Sequence, residues 1–315
     1  MKAVLSFLIL IFALSPAAMQ KSPFAPKSAI VDAARLLQDL RILSADEMQG
    51  RGVGTAGGEK ARAHVAKRFA ESGIKPFGNS YLQPFAFSVG DKSDGLSMPA
   101  GKTFNGVNVI GFIEGKKLQD KYIVVSAHYD HEGVKSGEIY NGADDNASGT
   151  AALFALARYF SKNKPSHTII FAAFDAEESG LRGSRAFVSA PPVAKEKIAL
   201  NVNLDMVSRS ERRELYAAGA HHYPQLKPTL ERVARKAKIK LLLGHDRPEL
   251  ASGDWTNQSD HAAFHGARIP FVYFGVEDHA DYHRPTDDFE NIDQEFYVRA
   301  VETILEAVRW LDKDI

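Results

Sequence analysis

Acidic and imidazole side chains gather at five points of the sequence, each directly after or between apolar runs. His128, Asp130 and His131 follow Tyr122 to Ala127, while Asp175, Glu177 and Glu178 follow Thr168 to Phe174. Asp205 closes the run Ala199 to Leu204, and Pro270 to Phe274 leads into a loop holding Glu277, Asp278, His279, Asp281 and His283. The segment Asn141 to Gly149 carries Asp144 and Asp145 and opens a helix. So many carboxylates meeting at one place would repel one another unless cations were bound there, so a metal centre is expected. Imidazole and carboxylate donors without thiolate suit zinc, with manganese or cobalt as alternatives, whereas calcium and magnesium sites use oxygen alone. Three carboxylates and two neutral imidazoles around two divalent ions leave a net charge of +1, which one hydroxide neutralises. In that setting a metal pair lowers the pKa of its water toward roughly 7.

The elements that must position these groups can be read from periodicity. Val107 to Ile113, Tyr122 to Ala127, Thr168 to Phe174, Ala199 to Leu204 and Pro270 to Phe274 are short and mostly apolar, as strands buried on both faces should be. Ala61, Val65 and Phe69 recur every four residues and define an amphipathic helix that Gly73 would stop. Further helices are expected at Ser148 to Phe160, Arg182 to Val188, Leu226 to Ala237 and Gln294 to Leu311. This alternation predicts a single α/β domain over residues 21–315, with a mostly parallel central sheet and helices on both faces. Ligands on such sheets bind beyond the carboxyl ends of the strands, which is where the ionisable residues fall.

Composition narrows the function further. Lys and Arg number 39 and Asp and Glu 39 among 315 residues, a balance that argues against a nucleic-acid binder. With no Cys, disulfide scaffolds, thiolate metal sites and thiol nucleophiles are excluded. Lys2, the apolar run Ala3 to Leu14 and the small residues Ser15, Ala17 and Ala18 read as a cleaved signal over 1–20. That run is shorter than the roughly 20 residues a spanning helix needs, so the mature chain is expected to be periplasmic or secreted, without stable membrane insertion. No Gly-x-Ser-x-Gly elbow supports a serine hydrolase.

In order and spacing, His128-Tyr-Asp130, Gly142-Ala-Asp144-Asp145-Asn-Ala-Ser-Gly149, Ala176-Glu177-Glu178-Ser-Gly-Leu-Arg-Gly-Ser184, Asn203-Leu-Asp205-Met206 and Tyr282-His283 resemble the M28 family of zinc aminopeptidases. Gly50-Arg-Gly-Val-Gly-Thr-Ala-Gly-Gly-Glu59 and Ser259-Asp-His-Ala-Ala-Phe264 extend the resemblance over nearly all of the chain after the signal. The resemblance implies the zinc-exopeptidase fold and two zinc ions. His128 and Asp205 would complete the two metal shells separately, Asp144 would bridge the ions, and Glu178 and His283 would supply the remaining ligands. Asp130 would fix the His128 tautomer, Glu177 would be the general base acting on a bridging water, and Asp144-Asp145 is a candidate for the family's cis peptide.

Each of these assignments has a plainer rival. A His at a strand end is commonly only hydrogen-bonded, His279 competes with His283, and Asp144 is preferred over Asp145 by the resemblance alone. His131, His261 and His265 read as structural or pocket-lining, and Asn146-Ala-Ser148 and Asn257-Gln-Ser259 fit the N-glycosylation pattern. The substrate implied is a peptide with a free N-terminus. Alternatives are a glutaminyl-cyclase-like enzyme, a carboxypeptidase using Arg209 or Arg284, and an inactive binding module on the same fold.

Overall fold

A computed structural model describes residues 26–88 and 101–315; the expected signal over 1–20 lies outside them. The chain begins with α1 (Ala33–Leu43) and α2 (Ala56–Glu71), followed by the strands β1 (Lys75–Pro76), β2 (Leu82–Ser88), β3 (Thr103–Ile113) and β4 (Leu118–His128). A small hairpin, β5 (Gly133–Lys135) and β6 (Glu138–Tyr140), precedes α3 (Gly149–Lys162). Then come β7 (His167–Phe174), α4 (Arg182–Ser189), β8 (Ile198–Leu204), β9 (Glu214–Ala218), α5 (Lys227–Ala234), β10 (Lys240–Leu243), α6 (His261–Gly266), β11 (Phe271–Gly275) and α7 (Gln294–Asp314).

Among the described residues nine strands form one sheet in the order β1, β3, β7, β4, β8, β11, β9, β10, with β2 also paired to β3. The four central strands β7, β4, β8 and β11 run parallel, and antiparallel pairings flank them on both sides. Their side chains alternate between two cores, as a pleated strand dictates. Ile123, Val125, Ile169 and Phe171 pack against α1, α2, α3 and α7, whereas Val124, Ile170, Ala172 and Phe174 pack against Phe187 of α4 and Phe264 of α6. Helices therefore cover both faces, and every residue of β7 is buried.

The expected strands and helices are present, with ends shifted by a few residues; α5 stops at Ala234 rather than Ala237. The parallel register sets the site. His128 pairs with Phe174, Ser126 with Asn203, and Phe274 with Leu204, so the last residues of four neighbouring strands share one edge.

Candidate metal centre

At that edge His128 points Nε2 at two carboxylates, 3.3 Å from Asp205 Oδ1 and 3.4 Å from Asp145 Oδ1. The other oxygen of Asp145 faces a different imidazole, with His283 Nε2 at 3.1 Å from Oδ2. Glu178 Oε2 lies 3.4 Å from the same His283 nitrogen. One carboxylate thus stands between two donor pairs, His128 with Asp205 and His283 with Glu178, so His128 and Asp205, expected in separate shells, lie together on one side of it. Ligand atoms of His128, Asp145 and Asp205 all lie within 4.8 Å of one another, as do those of His128, Glu177 and Glu178.

The expected bridge, Asp144, is elsewhere. Its Oδ1 accepts from the backbone N–H and the hydroxyl of Ser208 at 2.7 and 2.8 Å, and its Oδ2 lies 3.2 Å from His279 Nε2. Asp145, one position on, faces the cluster instead, and His279, the rival of His283, is occupied by Asp144 outside it. The cis peptide is likewise Asp145–Asn146, not Asp144–Asp145.

Several buried groups hold this loop. Asp287 accepts from the backbone N–H groups of Asp144 and Asp145 at 3.0 to 3.1 Å. Asn146 donates to Leu204 O at 2.9 Å and accepts from Gly149 N at 2.8 Å; being fully buried, it offers no place for a glycan. Gly142 has φ +54, and a Cβ there would come within 2.0 Å of Asp145 O, so only glycine fits. Arg51, from the Gly50-Arg-Gly segment, is fully buried, and its guanidinium donates to the carbonyls of Leu43, Tyr129, Asn141, Gly142 and Asp145. Its charge opposes the carboxylates of the cluster, and its fixed fork of donors suits converging carbonyls.

The Glu177-Glu178 turn follows β7 through Ala176 at φ +57. Asp130 anchors this turn: its Oδ1 accepts from Glu177 N at 3.1 Å and its Oδ2 from Glu178 N at 3.4 Å. Its carboxylate is 3.7 Å from His128 Nδ1, while its backbone oxygen is nearer at 3.2 Å. The expected contact of Asp130 with His128 is therefore made more closely by backbone than by side chain. His131 is fully buried, with Nδ1 2.6 Å from Glu178 Oε1. Sequence reasoning read His131 only as structural or pocket-lining and gave Arg51 and Asp287 no role here; the density of charge in largely apolar surroundings is the signal that could have flagged them.

The electrostatics of these residues call for cations. Burial alone would keep His128 neutral, yet Asp205 and Glu177 beside it hold its pKa well above the ordinary value. Burial also opposes charge on His283, but its hydrogen bond to Asp145 and the nearby Glu178 raise it to about 9. Burial pushes Glu177 and Asp130 well above the usual carboxylate range, while His131 is lowered to about 3 by burial and by Arg51 and His283. His128 and His283 are thus drawn toward imidazolium by the acids around them, whereas His131 is not. Nitrogen and oxygen donors without sulfur, converging on a carboxylate shared between two sets, fit zinc. The cavity over the cluster holds about 270 Å³ and is lined by Glu177, Asp205, Asp278 and apolar or aromatic side chains including Met206, Trp255 and Tyr282.

The profile of Peptidase family M28 matches residues 108–308, and the chain belongs to that family. A probable zinc metalloprotease of Pyrenophora tritici-repentis is 27% identical over 291 residues, covering 83% of this chain and 63% of that protein. Aminopeptidase YwaD of Bacillus subtilis is 34% identical over 214 residues, 64% of this chain and 44% of the relative. The chain thus spans less than two thirds of the length of these curated relatives. A crystal structure of a zinc aminopeptidase from Bacillus subtilis superposes with a TM-score of 0.70 at 20% identity, over 90% of this chain and 96% of that one. That likeness establishes the zinc-exopeptidase fold. No helix among the described residues is long and apolar enough to cross a membrane.

Proposed function

We propose that the protein is a zinc-dependent aminopeptidase that removes N-terminal residues from peptides, using two zinc ions. The observation that carries this reading is Asp145, whose Oδ1 faces His128 and Asp205 while Oδ2 faces His283, beside Glu178. In this reading His128 and Asp205 hold one ion, His283 and Glu178 the other, and Asp145 joins them. Zinc bound there would polarise the scissile carbonyl and acidify the attacking water toward roughly pKa 7.

The remaining work falls to side chains of this chain. Glu177 lines the cavity next to the cluster and makes no metal contact in this assignment, which leaves it free to take the proton of the attacking water and pass it to the departing amine. Asp130 keeps Glu177 and Glu178 in place through their backbone N–H groups. The charge of the cavity favours an amine over a carboxylate. Among the described residues its lining includes Asp205 and Asp278 and no Lys or Arg. Arg209, which a carboxypeptidase reading would use, is paired with Asp281, and Arg284 is exposed and outside the lining. The apolar leader over 1–20 supports a periplasmic or secreted location.

The test is a matched pair of peptides, one with a free and one with an acetylated N-terminus, given to the zinc-loaded enzyme. Loss of the first residue from the free peptide alone is expected. Equal cleavage of both, or release of the C-terminal residue first, would overturn the reading. Cyclisation of N-terminal glutamine without loss of a residue would replace it with a cyclase.

A further inference from the structure

His131 lies outside the assigned ligands, yet nothing about its position is casual. Its side chain is fully buried, and Nδ1 sits 2.6 Å from Glu178 Oε1 but 3.8 Å from Asp145 Oδ2. Nε2 is buried and has no hydrogen-bond partner among the described residues. The ring is confined on one side by Gly142, where a Cβ would come within 2.4 Å of its Cδ2, and it meets the His283 ring in a T-shaped contact at 5.9 Å. A carboxylate can only accept, so Nδ1 carries the hydrogen and donates it to Oε1. That bond engages one oxygen of Glu178 and leaves the other, Oε2, turned to His283 Nε2 at 3.4 Å.

We propose that His131 is a positioning residue for the metal centre: it clamps Oε1 of Glu178 so that Oε2 alone is offered to the ion shared with His283. The inference rests on the two-zinc reading above. A carboxylate freed from this clamp turns freely before the ion arrives, so fixing its orientation on binding lowers the affinity while the filled site keeps the same ligand atoms. Partners of this kind, bound to ligands and not to metal, change metal affinity by about 10- to 100-fold.

Three variants separate the hydrogen bond from packing. His131→Phe fills the ring space without a donor, His131→Ala removes both, and His131→Asn places an amide N–H near the position of Nδ1. Zinc affinity is measured by competition with a chelator, and the electronic spectrum is recorded with cobalt in place of zinc, circular dichroism reporting the fold. The Phe and Ala variants should bind one of the two ions about 10- to 100-fold more weakly while the other is unchanged, and Asn should recover most of the loss. With cobalt at saturation, the spectrum of all variants should match the parent. Parent-like zinc affinity of His131→Phe would overturn the clamp and leave the two-zinc reading standing. A changed cobalt spectrum at saturation would overturn it in another way, by making the ring a ligand. Should the parent itself bind no metal, the proposed function and the clamp would fall together.

Discussion

Asp144 and Asp145 are neighbours of one chemical type, and they separate completely in three dimensions. Asp144 is spent on Ser208 and His279, while Asp145 faces the cluster. Residue types and their order along the chain made most of the site legible, because His128, Glu177, Glu178, Asp205 and His283 each end or follow a buried strand and converge in space. Which of two adjacent carboxylates turns inward depends on local dihedrals that side-chain type does not encode; Asp145 lies at φ −102, ψ 99, off the helical path of its neighbours. Three conservative substitutions test the roles. Asp145→Asn should reduce occupancy of both metal positions, whereas Asp144→Asn, which keeps an acceptor for Ser208, should retain both ions. Glu177→Gln should keep metal and fold while lowering kcat by on the order of 10² to 10⁴. Elemental analysis of each purified variant, alongside steady-state kinetics, separates the three; full metal content in Asp145→Asn would remove it from the bridging position.

Among elements, long apolar strands were legible and short or edge ones were not. β7 carries eight buried residues in a row, the mark of an interior strand, whereas β9 and β10, the last two strands on one side of the sheet, are only five and four residues long and offer too few positions for a pattern. Joints between elements were also invisible, because they depend on tertiary partners. Asp312, near the end of α7, accepts from Ser166 N at 2.7 Å and His167 N at 2.8 Å, and its Oδ1 lies 3.1 Å from His167 Nδ1, tying the last helix to the start of β7. Burial would raise the Asp312 pKa, but these hydrogen bonds outweigh it and hold the carboxyl below its ordinary value. A depressed folded pKa means that the stabilisation is complete above the unfolded value of about 3.9 and is lost as pH falls through the folded value. Asp312→Ala should therefore cost about 1–3 kcal/mol of unfolding free energy at neutral pH, since buried N–H donors lose their acceptor. In urea titrations the gap between variant and parent should be constant from about pH 5 to 8 and close below about pH 4. A gap that persisted undiminished at low pH would mean that packing, not the charged acceptor, makes the joint.

At the scale of the whole molecule, two hydrophobic cores grip a sheet whose carboxyl-end edge concentrates negative charge. Asp130, Asp145, Asp205 and Glu178 crowd that edge, and Arg51, buried beside them, is committed to backbone carbonyls. Without cations this repulsion acts against the folded state alone, because in an extended chain the same carboxylates are far apart in water. Metal binding should consequently appear as global stability. A ligand that binds only the folded state adds RT ln(1 + [L]/Kd), about 2.7 kcal/mol for each site at a free concentration of 100 Kd. For a chain of about 300 residues each kcal/mol raises Tm by roughly 1.5–2 °C, so one filled site should add about 4–5 °C and two sites about twice that. Calorimetry of chelator-treated protein across a zinc titration reads this directly, and two steps in Tm with rising zinc are expected if the donor pairs on either side of Asp145 differ in affinity. A single step with one ion per chain would reduce the centre to one metal, and an unchanged Tm would mean that the carboxylates tolerate one another by holding protons instead.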